Sequence, residues 1–78
     1  MRAYNLFRRR DLQHVLCAVP EDSAVPGFLA EKAWEFVREL TEPATAPIGF
    51  NPQAAIAGVR FNGFYLFQSF SGARRTQS

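Results

Sequence analysis

Hydrophobic and polar residues first alternate with period two. Residues 3–8 hold Tyr4, Leu6 and Phe7 in weak alternation and predict a first strand. Residues 12–19 predict a second, with Val15, Cys17 and Val19 on one face and Leu12, His14, Leu16 and Ala18 on the other. The polar Arg9-Arg10-Asp11 between them suits a turn, and the natural pairing is a hairpin. Pro20-Glu21-Asp22-Ser23 ends the second strand. The period then changes. Over residues 28–40, Leu29, Ala33, Phe36, Val37 and Leu40 fall on one helical face, which predicts a helix with Trp34 as an anchor beside it. Glu31, Glu35 and Glu39 form an acidic line on that helix, read as a solvated face whose like charges slightly oppose helix formation.

Residues 42–47, with two prolines, predict a loop. The segment that follows, 50–70, holds five of the eight phenylalanines and the clearest local signals. Asn51-Pro52 reads as an N-cap followed by proline at the first helical position. Asn62-Gly63 reads as a helix end. The expectation is a helix over 52–61 and an aromatic strand over 64–70. The competing reading is a hairpin turning at Asn62-Gly63. Assembled, these elements predict a small α+β domain over 1–71. Its three-stranded antiparallel or mixed sheet would be packed by two helices in the order β-β-α-α-β. A flexible polar tail is expected over 72–78. The expected core comprises Leu6 or Phe7, Val15, Cys17, Leu29, Phe36, Leu40, Ile56, Val59, Phe64 and Leu66.

Composition supports a folded chain. Of 78 residues, 47% are hydrophobic and 14% aromatic, so a small domain draws much core area from a few large side chains. A single cysteine, Cys17, permits no internal disulfide and fits a reducing, cytoplasmic setting. No apolar run has the length of a signal peptide or a membrane span, so no membrane partner is expected. The net charge of +2 hides a segregation: all seven acids lie between residues 11 and 42, and both ends are basic.

Candidate chemistry is sparse. The only histidine, His14, and Cys17 lie three apart on an expected strand and point to opposite faces, so they form no dyad. No set of three or four convergent metal ligands and no glycine-rich phosphate loop stands out. We therefore expect no catalytic residue, no metal and no cofactor. Gly63 to Phe67 has aromatic alternation of the kind used in RNA-recognition motifs. It lacks the glycine-and-basic pattern before the aromatics, and the chain is too short for that βαββαβ fold. Arg8, Arg9 and Arg10 would converge with Arg74 and Arg75 at one sheet edge if the last strand runs like the first. Two helices cover only one face of a sheet, so Tyr65 and Phe67 could remain on an open face beside those arginines. The alternative is that the loop, the tail or a homodimer covers that face. These residues together predict a non-enzymatic binding protein that occupies a surface of a larger protein or nucleoprotein assembly. Small bacterial or phage regulators and inhibitors, anti-CRISPR proteins among them, fit that description by size and by lack of a catalytic set. The alternative is a weak nucleic-acid-binding domain using the terminal arginines.

Overall fold

The computed structural model describes residues 3–42 and 45–69. They form β1 (Tyr4–Arg9), β2 (Val15–Pro20), a 3-10 turn (Gly27–Ala30), β3 (Trp34–Leu40), α1 (Pro52–Asn62) and β4 (Tyr65–Gln68). The sheet has four strands in the order β3-β1-β2-β4, and every neighbouring pair is antiparallel. The expected three strands and two helices are thus corrected to four strands and one α-helix, in the order β-β-β-α-β. The expected tail over 72–78, together with Phe70, Arg74 and Arg75, lies outside the described residues.

The correction falls on residues 28–40, and a bulge explains it. β3 pairs with β1 as Phe36↔Phe7 and then Arg38↔Leu6, so one residue of β3 is skipped opposite the Leu6/Phe7 step. An extra residue breaks the alternation of a strand. Trp34 consequently belongs to the hydrophobic cluster on one side of the sheet, and Leu40, paired with Tyr4, to the cluster on the other. Apolar residues at 36, 37 and 40 of the bulged strand, with Ala33 in the turn before it, therefore imitate helical spacing. The acidic line disperses as well: Glu31 lies outside any strand, Glu35 pairs with Arg8 in the ladder and Glu39 with Asn5.

Both faces of the sheet are covered, each by one crossover. β2 and β3 both run antiparallel to β1, so the chain between them must cross the sheet. It carries Phe28 and Leu29 onto Cys17, Val19, Trp34 and Phe64. The Phe28 ring lies 5.8 Å from the Trp34 ring of β3 and 5.1 Å from that of Phe64, the residue before β4. On the opposite face, α1 sets Ala55 and Val59 against Tyr4, Leu6, Leu16, Ala18, Leu40 and Phe67.

The helix follows its sequence signals. The Asn51 side chain accepts from the Gln53 and Ala54 N–H groups at 2.9 and 3.0 Å, Pro52 opens the first turn, and Gly63 ends the helix at φ 85°. The competing hairpin is thereby replaced by a helix end. Before α1, Gly49 (φ 104°) passes so close to β4 that a Cβ there would lie 2.0 Å from the Gln68 carbonyl oxygen. Of the expected core, Leu6, Cys17, Leu29 and Leu40 are buried and Val15, Val59 and Phe64 half-buried. Phe36, Ile56 and Leu66 are exposed instead. Phe36 and Leu66 stand at the two outer strands, which have neighbours on one side only, and Ile56 lies on the side of α1 turned away from the sheet.

Candidate functional site

The arginine cluster is the first place the sequence nominates. Arg8 and Arg10 come off the end of β1, and both reach Glu35 of β3: Arg8 donates from Nε and Nη2 to Glu35 Oε2 at 3.3 and 3.1 Å, and Arg10 Nη1 donates to Oε1 at 3.2 Å. Arg9 points to the other side of the sheet. Its Nε donates to Asp11 Oδ1 at 2.8 Å, and its guanidinium stands 5.8 Å from the centre of the Trp34 ring. The three cations therefore face two carboxylates of their own chain. Arg38 is engaged too, donating to the Thr45 carbonyl and, at 3.5 Å, to that of Glu39. Arg74 and Arg75 lie outside the described residues. β4 runs in the direction of β1 with β2 between, and the Ser69 N–H donates to the His14 carbonyl at 2.8 Å, beside the β1–β2 turn.

Tyr65 and Phe67 lie on the face that α1 and the preceding loop cover. Their rings stack at 5.2 Å, and Phe50 meets both edge-on at 5.6 and 5.4 Å. The Tyr65 hydroxyl accepts from the Asn51 N–H at 3.4 Å, which ties the strand to the helix cap. Phe67 is only 7% exposed, so in this fold it offers little surface to a partner. His14 is exposed and Cys17 fully buried, and burial pushes the Cys17 thiol up to about 12, opposed by a backbone hydrogen bond from Tyr65. A thiol held protonated in this way is a packing group rather than a nucleophile. Among the described residues no three His, Cys, Asp or Glu side chains could together hold a metal.

The exposed apolar surface lies elsewhere. On α1 only Ala55 is buried, while Ile56 is 56% and Phe61 81% exposed. At about 3.6 residues per turn, Gln53, Ala57 and Arg60 point away from Ala55 and Val59, and Ile56 and Phe61 flank them. Arg60 is the one charged residue in this helix and in the whole of 45–69, and it makes no ion pair among the described residues. A helix apolar on nearly every side is ordinarily buried on every side. The sequence carried this signal, because the helix is legible from its caps and Ile56 and Phe61 flank its outward positions. Assigning Ile56 to the core hid it. Further apolar side chains are exposed off the helix, among them Ile48, Leu66 and Phe36, the last 58% exposed at the β3 edge with its ring 5.7 Å from that of Phe7. No described helix is long and apolar enough to cross a membrane. Comparison with protein-family descriptions, with curated proteins and with solved structures found no match to this chain.

Proposed function

We propose that this protein is a non-enzymatic binding module that acts by occupying a surface of a larger protein, and that α1 is the element it presents. The observation that carries this reading is the outward side of α1, where Ile56 and Phe61 stand in solvent on a helix with one charge in eleven residues. A small domain gains solubility by placing charge on such a face. Leaving large apolar groups there is how interface anchors are built. The rest of the domain suits a rigid carrier: both sheet faces are covered, and α1 is fixed at its start by Asn51 and Tyr65 and at its end by Gly63. A regulator or inhibitor working by occlusion needs nothing more than such a carrier and such a face.

Nucleic acid, the other expectation, gains no support from Arg8, Arg9 and Arg10, whose guanidinium groups are held by Glu35 and Asp11. Phosphate binding would require breaking those pairs or adding charge from elsewhere. The test is retention of a host protein by the immobilised domain before and after nuclease treatment. Protein binding predicts that the same host protein remains after nuclease. Loss of all retained protein on nuclease treatment would return the nucleic-acid reading.

A further inference from the structure

The same helix face also indicates what kind of surface receives it, an inference that rests on the binding-module reading. The face combines two large apolar groups, small residues at 54 and 57, the neutral amide of Gln53 and a single guanidinium at Arg60. Residues 45–69 contain no Asp or Glu, and Arg60 forms no ion pair with any described carboxylate. Every other arginine among residues 3–42 has a carboxylate or carbonyl partner within the chain. Burying the α1 face therefore requires that the covering surface supply the countercharge.

We propose that α1 is laid into an apolar groove of a different protein, with Ile56 and Phe61 against its two walls and a carboxylate between them taking Arg60. A second copy of this chain cannot meet the need by pairing α1 against α1. Such a two-fold contact would bring two Arg60 groups into a face that contains no acid. A lipid surface is held by several cations along a helix, and strand phosphates by several contacts, whereas this face brings one. Helix-in-groove recognition seats apolar side chains against the partner, and one arginine between them calls for one carboxylate there.

The test uses Arg60→Lys, which keeps the charge and introduces a primary amine. A carbodiimide added to host lysate joins that amine to a carboxylate held against it, and peptide mass spectrometry locates both ends. The expected result is a cross-link from position 60 to an Asp or Glu side chain of another protein. Its yield should fall about tenfold or more when Phe61→Asp or Ile56→Asp is added, with the variants melting like the parent. Three results overturn the proposal. One is a position-60 cross-link to a second copy of the chain. Another is a cross-link to another protein that Phe61→Asp leaves unchanged. The third is no position-60 cross-link in a lysate from which the immobilised domain still retains its nuclease-resistant partner. In that last case the binding-module reading stands and only the assignment of α1 and the carboxylate falls. Vesicles of phosphatidylglycerol and a single-stranded oligonucleotide serve as separate probes. Binding to either that Phe61→Asp abolishes also contradicts the proposal.

Discussion

Phenylalanine has two opposite roles in this chain, and single substitutions separate them. Phe67 fills the space between the sheet and Phe50 and is 7% exposed, so Phe67→Ala should cost ~3–5 kcal/mol. Phe61 is 81% exposed, and Phe61→Ala should change stability by no more than ~0.5 kcal/mol. Denaturant melts of the two variants check the pair, and a large loss for Phe61→Ala would place that ring inside the fold. Cys17 gives a pH dependence whose sign is fixed by burial. Its thiol ordinarily ionises near 9.0, and in the folded chain this is pushed up to about 12. Above the unfolded value the unfolded chain releases a proton that the native state keeps, so stability is full below about pH 9 and falls as pH rises toward 12. The slope approaches about 1.4 kcal/mol per pH unit. Cys17→Ala should flatten that slope relative to the parent in melts taken across the same range. Equal slopes would show that the thiol is not the group responsible.

At the scale of elements, legibility followed the number of residues needed to specify each one. α1 was readable because its limits rest on single residues with local physics: the Asn51 side chain, the ring of Pro52 and the left-handed Gly63. β3 was not, because its apolar pattern is interrupted by a bulge opposite Leu6/Phe7, and a bulge is set by pairing with β1 rather than by the β3 residues themselves. The same long-range dependence hid the site. That Tyr65 and Phe67 face away from Phe64 follows from alternation, but that α1 and Phe50 cover them follows from topology. The two left-handed glycines should differ for a related reason. Gly63 has open space where a Cβ would go, so Gly63→Ala meets only the backbone penalty of ~1–2 kcal/mol. Gly49→Ala adds a collision with the Gln68 carbonyl and should be the more destabilising of the two. Melts that rank Gly63→Ala as the worse variant would mean that the loop before α1 does not lie against β4.

For the whole molecule, the pattern is a carrier that presents an apolar helix face. Four strands are closed above and below by crossovers, the arginines of β1 are occupied by Glu35 and Asp11, and Ile56 and Phe61 are left in solvent on a helix whose one charged residue is Arg60. Phe36 provides an internal control, being a comparably exposed ring on β3 that packs against Phe7 on the side of the sheet away from α1. The most direct measurement is retention of the nuclease-resistant host protein by three immobilised domains matched in melting temperature: the parent, Phe61→Asp and Phe36→Thr. The account predicts retention by the parent and by Phe36→Thr and loss by Phe61→Asp. Retention by Phe61→Asp at the parent level, or loss by Phe36→Thr alone, would contradict it.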